Sequence, residues 1–175
     1  MEYYTLKIAG IVRKLPLVPL NSKIKIASFN LLGDRVLVEA LAKLLVKSLK
    51  PFKFDYLVGP EVKVVPLLQE LSKILKKERY IVCRKKIHGY MVAPLILKEK
   101  SGLVMNGPDA ALIKGKKVVI LDDVVSSGRT MEEVNLLINK AGGKVVAKIA
   151  VLRQEGEAET LDNLIFLAEL PIYRT

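Results

Sequence analysis

The feature that most constrains this chain is an alternation that runs from Phe54 to Leu170: short, wholly apolar runs bounded by polar turns, separated by amphipathic stretches. "FDYLVG", "YIVCR", "KKVVILDD", "KVVAKIAVL" and "LIFLAEL" read as strands buried on both faces, because they lack the polar-apolar alternation of a half-exposed sheet. Between them, a stretch beginning at Pro66 repeats Leu67, Leu68, Leu71, Ile74 and Leu75 on one helical face, and "MEEVNLLINKA" is closed by Gly142 and Gly143 as a helix stop. Strands alternating with helices predict an α/β domain with a parallel, Rossmann-like sheet. An upstream helix is predicted from an Asp34 N-cap to about Leu49, burying Leu37, Ala40, Leu41, Leu44 and Leu45.

The ends of the chain depart from this rhythm. Tyr3–Ala9 and Ile11–Leu20 read as two β runs hinged near Gly10, and Pro16 and Pro19 restrict the second to an edge or an irregular strand. Residues 1–22 are therefore expected to form a small hood beside a single domain over 23–175, in which "IKIASF" adds a further strand. "GYMVAPLILKEKSGLVMNG" reads as two extended runs around a charged tip, Lys98 to Gly102.

Composition adds a partner class. With 29 Lys and Arg against 18 Asp and Glu, the formal net charge of +11 attracts phosphates, nucleotides or nucleic acid, though a Lys-rich surface also suits a hot environment. The single cysteine, Cys83, excludes an internal disulfide, and neither a signal-peptide pattern nor a membrane span is legible, so a cytoplasmic protein with no membrane partner is expected.

The chemistry concentrates in "VVILDDVVSSGRT", residues 118–130. An apolar strand ends in two carboxylates, Asp122 and Asp123, at the carboxyl end of a strand, where open α/β sheets bind ligands. Val124 and Val125 continue the apolar scaffold. Ser126, Ser127, Gly128, Arg129 and Thr130 then make a small polar turn whose N–H groups and hydroxyls can converge on a phosphate ahead of a helix N-terminus. Ionised aspartates suit sugar hydroxyls or a divalent cation rather than the phosphate itself, so the string fits a ligand that carries both ribose and phosphate. Thr130 and Glu133 also have capping-box spacing, and that box is expected at the helix start.

This string resembles the 5-phosphoribosyl-1-pyrophosphate (PRPP) signature of the type I phosphoribosyltransferases, with Arg129 where that family often has a second glycine. The resemblance extends to "LVGPEVKVV", similar to the family's pyrophosphate loop, which implies roles for Glu61, Val62 and Lys63. "VCRKKIHGYM" is similar to the basic segment of the adenine enzymes, which implies pyrophosphate contacts from Arg84, Lys85, Lys86 and His88. The charged tip sits where the family carries a mobile loop, with Glu99 near a catalytic glutamate. "IAGIVRKLP" resembles the hood that frames the base, which implicates Ile11, Val12 and Arg13. The resemblance implies a purine phosphoribosyltransferase, most like the adenine enzyme, catalytic through Asp122, Asp123 and Glu99. Mg²⁺ would be held mainly through PRPP, with Asp122 and Asp123 beside it, and the products would be a nucleoside monophosphate and pyrophosphate from a homodimer. "KKIHG" keeps an orotate enzyme as an alternative. A PRPP- or nucleotide-sensing regulator of the same fold stands behind both, since no helix-turn-helix is legible and nucleic acid is not an expected partner.

Overall fold

The computed structural model describes residues 1–98, 101–156, 161 and 163–174. Its first two strands, β1 (Tyr3–Ile8) and β2 (Ile11–Asn21), form a hairpin. The two-residue connection Ala9-Gly10 takes φ of 52° and 76°, the left-handed pair that a right-twisted hairpin requires and that Gly10 adopts without steric cost. Strand β3 (Ile24–Ala27) pairs with β2, and the last strand of the chain, Ile172–Arg174, pairs with β3 in turn, so the hood is a four-stranded antiparallel sheet. It thus takes strands from beyond residue 22 and from the far end of the sequence, neither of which the sequence reading placed there.

The prolines in β2 act by position. β2 lies inside the sheet, not at its edge, but β1 ends opposite Pro16, so Pro19 stands where β2 has a neighbour on one side only. There the register against β3 shifts between Pro19 and Asn21. The expected irregularity is present, and it is what lets an interior strand carry a residue without an N–H.

Helix α1 (Arg35–Leu49) begins as predicted, with the Asp34 carboxylate accepting the Leu37 N–H at 3.1 Å. Its buried stripe is rotated from the expected one: Val38, Ala42 and Leu49 join Leu37, Leu41 and Leu45, while Ala40 and Leu44 stay half-exposed. Strand β4 (Tyr56–Pro60), helix α2 (Val65–Ile74) and strand β5 (Ile81–Cys83) follow. In α2, Leu67, Leu68, Leu71 and Ser72 face inward, whereas Ile74, expected inside, lies exposed.

The hairpin β6 (Leu95–Lys98) and β7 (Ser101–Met105) then leads into a short helix, α3 (Gly107–Ile113), in a stretch to which the sequence pattern assigned no element. The closing succession is β8 (Lys117–Val125), α4 (Arg129–Lys140), β9 (Lys144–Gln154), β10 (Leu164–Leu170) and β11 (Ile172–Arg174). Strands β10-β9-β8-β4-β5 form one parallel sheet in that order. Leu57, Val119, Leu121 and Ile149 pack toward α1, α2 and the hood, and Val58, Val118, Ile120 and Ala150 pack toward α4.

One glycine decides how closely the central strands approach. A Cβ on Gly59 would fall 2.6 Å from the Leu121 carbonyl oxygen, a contact no side chain tolerates. Gly59 therefore brings the end of β4 against the end of β8, and with it Glu61–Lys63 beside Asp122 and Asp123.

Candidate functional site

At the carboxyl ends of β4 and β8 lies a cleft of about 530 Å³, walled by Glu61, Val62 and Lys63, by Lys85, by Gly102 and Leu103, and by Asp122, Asp123, Val124, Thr130 and Glu133. A smaller recess of about 40 Å³ opens beside it, lined by Ser126, Ser127, Gly128, Arg129 and the backbone around Val125. The cleft is placed where a strand-end ligand is expected, and the recess is formed by the small-residue turn.

Asp122 and Asp123 are each only 6% exposed. The two carboxylates are neighbours in sequence and are buried together. Burial first, and the Asp123 charge second, push the Asp122 carboxyl well above the usual carboxylate range. Against this, Asp122 Oδ1 accepts the Asp123 N–H at 2.8 Å, and the Lys63 ammonium stands 3.4 Å from Asp123 Oδ2. That approach is an ion pair without hydrogen-bond geometry, and Asp123 Oδ2 is left without a hydrogen bond among the described residues. A buried, unbonded carboxylate oxygen facing a cleft is costly for the fold alone and is suited to a ligand hydroxyl or to cation-bound water.

The turn behind the aspartates is held by Gly128, which takes φ 74° and caps α4. The conformation favours glycine, and a Cβ there, 2.6 Å from Leu161 Cδ1, would have to displace the Leu161 side chain. The capping box is absent: α4 starts at Arg129 without a side-chain cap, and Glu133 instead accepts the Leu103 N–H at 3.3 Å, tying β7 to the cleft wall. Arg129 lines the phosphate-sized recess beside Gly128, so the departure at this position leaves the left-handed turn intact.

The other expected residues divide. Glu61, Val62, Lys63 and Lys85 line the cleft, and the Glu61–Val62 peptide is cis. Arg84, Lys86 and His88 do not line it. The Arg84 guanidinium is turned onto Glu61, its Nη2 lies 3.3 Å from His88 Nε2, and the His88 ring stacks on Tyr90 at 5.4 Å. Burial raises the Glu61 carboxyl, but the Lys85 N–H, at 2.5 Å, and the Arg84 guanidinium outweigh it and hold Glu61 below its usual range.

In the hood, Arg13 clasps Asp34 through Nε at 2.6 Å and Nη2 at 2.9 Å, and Ile11, Val12 and Arg13 lie outside the wall of the cleft. The hydrogen bond from Arg13 is the main cause that holds Asp34 below its usual range. Glu99 lies outside the described residues. Thr130, expected in the phosphate turn, lines the cleft, and Glu133 is a wall residue that its sequence pattern assigned only to capping; the signal for Glu133 is weak, since its partner is a backbone N–H of a distant strand.

The profile of the phosphoribosyl transferase domain matches residues 34–166. The chain belongs to that family. Its fold is the type I phosphoribosyltransferase fold, a parallel sheet with an antiparallel hood, and the family is one of glycosyltransferases. The crystal structure of adenine phosphoribosyltransferase from Thermoanaerobacter pseudethanolicus superposes with a TM-score of 0.71 at 23% identity, over 89% of this chain and 95% of that one.

Among curated relatives, the orotate phosphoribosyltransferase of Saccharolobus solfataricus is 32% identical over 68% of this chain and 54% of its own length. The adenine phosphoribosyltransferase of Thermosipho africanus is 31% identical over 67% of this chain and 69% of its own length. A transcriptional regulator of Methanocella arvoryzae, GfcR, is 48% identical over 54 residues. The chain thus spans about half of the length of the orotate relative and 26% of the regulator. Among the described residues no helix is long and apolar enough to cross a membrane.

Proposed function

We propose that this chain transfers the 5-phosphoribosyl group of PRPP to a purine base, adenine in the first instance, forming AMP and releasing pyrophosphate. The observation that carries this reading is a pair of buried carboxylates, Asp122 and Asp123, in the wall of a cleft with Lys63 3.4 Å from Asp123, beside a recess formed by the Gly128 turn. Read as sites for pyrophosphate, sugar and 5′-phosphate, in that order from Lys63 through Asp122 and Asp123 to the Gly128 turn, these groups would match the three parts of PRPP. In the reaction, a ring nitrogen of the base forms a bond to C1′ while the bond from C1′ to the pyrophosphate oxygen breaks; the electron pair leaves with pyrophosphate, and the ring N–H proton of the base passes to the departing pyrophosphate or to solvent.

In this reading, Lys63 and Lys85 neutralise the charge that grows on the leaving group, and Asp122 and Asp123 hold the ribose hydroxyls opposite them. Val124, Val125 and the turn from Ser126 to Thr130 receive the 5′-phosphate. The hood, through Ile11, Val12 and Arg13, frames the base by backbone and apolar contact.

A magnesium ion fits only as part of such a complex. No cluster of three His, Cys, Asp or Glu side chains exists among the described residues, yet the Asp122 and Asp123 oxygens are hard donors of the kind Mg²⁺ accepts. When bound, the cation would screen the negative charge of PRPP, with the remaining oxygens supplied by PRPP and water. The family reading also carries a homodimer as the assembly.

A second reading is orotate transfer, favoured by the S. solfataricus relative and by the position of His88 beside the basic segment. Turnover with PRPP, Mg²⁺ and a panel of adenine, guanine, hypoxanthine, xanthine, orotate and uracil separates the two. Adenine as the best base supports the first, and orotate replaces it. Absence of product with every base, alongside retained PRPP binding, removes both and points to regulation.

A further inference from the structure

Glu61 is an acid in the wall of a cleft read as a site for pyrophosphate, and an unpaired carboxylate there would repel its ligand. Its carboxylate is not unpaired. Oε1 accepts the backbone N–H of Lys85 at 2.5 Å, and Oε2 accepts from Arg84 Nε, so both oxygens are committed to a segment 23 and 24 residues away in sequence. We infer that Glu61 is a positioning residue: it staples the loop after β4 to the basic segment after β5 and sets Lys63 and Lys85 on one wall, and it does not itself touch the substrate. This inference rests on the proposed binding of PRPP in the cleft.

Three observations converge on it. The loop 61–63 and the segment 84–85 are also joined on the main chain, the Glu61 N–H donating to the Cys83 carbonyl at 2.8 Å, so the side chain closes a second link beside a backbone one. Arg84 is held from its other side as well, Nη2 lying 3.3 Å from His88 Nε2, with His88 stacked on Tyr90. The staple is only partly shielded, Glu61 being 17% and Arg84 34% exposed on their side chains, so geometry and not deep burial is its contribution. Bidentate use of the carboxylate fixes the direction in which Lys85 leaves the strand. A single mobile lysine would instead lose its binding advantage to the disorder of its long side chain.

The test is a double-mutant cycle on PRPP binding, with Glu61→Gln, Arg84→Ala and the combined variant, read by calorimetry with Mg²⁺ present. The glutamine keeps the size of the side chain and an oxygen for the Lys85 N–H but loses the charge that holds Arg84. Losing a charge-assisted pair weakens PRPP binding about tenfold in the wild-type background. In the Arg84→Ala background the same change costs less than about threefold, because the residue it acts through has gone. In turnover, KM for PRPP rises while kcat is retained within about threefold, whereas a loss of folded protein would lower apparent kcat and leave KM unchanged.

An undiminished loss in the Arg84→Ala background would show that Glu61 meets the ligand directly, and unchanged binding in the wild-type background would show that the staple is idle; either overturns the inference. A wild-type protein that binds no PRPP overturns the proposed function itself.

Discussion

The loops at the ends of β4, β5 and β8 and the hood, the two parts of the proposed ligand site, are built by opposite means. The strand-end loops come from consecutive units of one parallel sheet and present charged side chains: Lys63, Lys85, Asp122 and Asp123. The hood is assembled from both ends of the chain, β1 to β3 and β11. Chemistry that needs charge is encoded locally, whereas shape that needs only a surface can be built from distant segments. On the proposed reading, a hood so built could change while the strand-end loops stay fixed, and one fold could then serve different bases.

The largest effect that this contrast predicts belongs to the aspartates. Asp122→Asn with Asp123→Asn should lower turnover roughly 1,000-fold, the scale for removing preorganised groups from a reacting centre. The thermal midpoint should not fall, because the substitutions remove two mutually opposed buried carboxylates and keep their shape. Steady-state kinetics and a melt on the same sample check both halves. Retained activity would remove the strand-end loops from the site.

Gly128→Ala tests the same region through its backbone. An alanine at φ 74° costs about 1–2 kcal/mol in conformation alone, and its Cβ must also displace Leu161. Chemical denaturation should show at least that loss, and PRPP binding should weaken in the protein that remains folded.

Hood variants should move a different observable. Asp34→Asn keeps an N-cap for α1 but removes the charge clasped by Arg13, so it should lower stability slightly and leave PRPP affinity unchanged. KM for the base should shift more than KM for PRPP. The pH dependence has a definite sign: Asp34 sits below its usual range when folded, so its contribution is complete above the unfolded value, about pH 3.9, and fades as pH falls through the folded value. The gap between wild type and Asp34→Asn should therefore close in acid. A gap that widened there would contradict the clasp.

The smallest effect is one of ionic strength. Exposed Lys63, half accessible on its side chain, should lose part of its hold on PRPP as salt rises, while base affinity stays level.

The same division governs what could be read from the sequence. "VVILDDVVSSGRT" was legible because each residue's role is local: valines buried on both faces of β8, carboxylates at its end, glycine at a left-handed turn. The Asp34 cap of α1 was legible for the same reason. What escaped depends on distant partners. Nothing in "IYR" says that it pairs with Ile24–Ile26 instead of extending the parallel sheet, and nothing near Arg13 names Asp34 as its partner. Glu133 has capping-box spacing from Thr130, yet the Leu103 N–H of β7 claims its carboxylate, a tertiary contact overriding a local one. The basic segment was found, but the sequence could not say that Lys85 faces the cleft while Arg84 turns to Glu61, since adjacent side chains at a strand end point to opposite sides.

The most direct measurement of the central claim needs no base at all. Titration of Mg²⁺–PRPP into the wild-type protein and into the Asp122→Asn, Asp123→Asn variant, followed by calorimetry, asks whether the strand-end loops alone hold the sugar phosphate. Saturable one-site binding to the wild type, displaced by pyrophosphate and absent from the variant, is the predicted result; equal binding to both proteins, or none to the wild type, would contradict it.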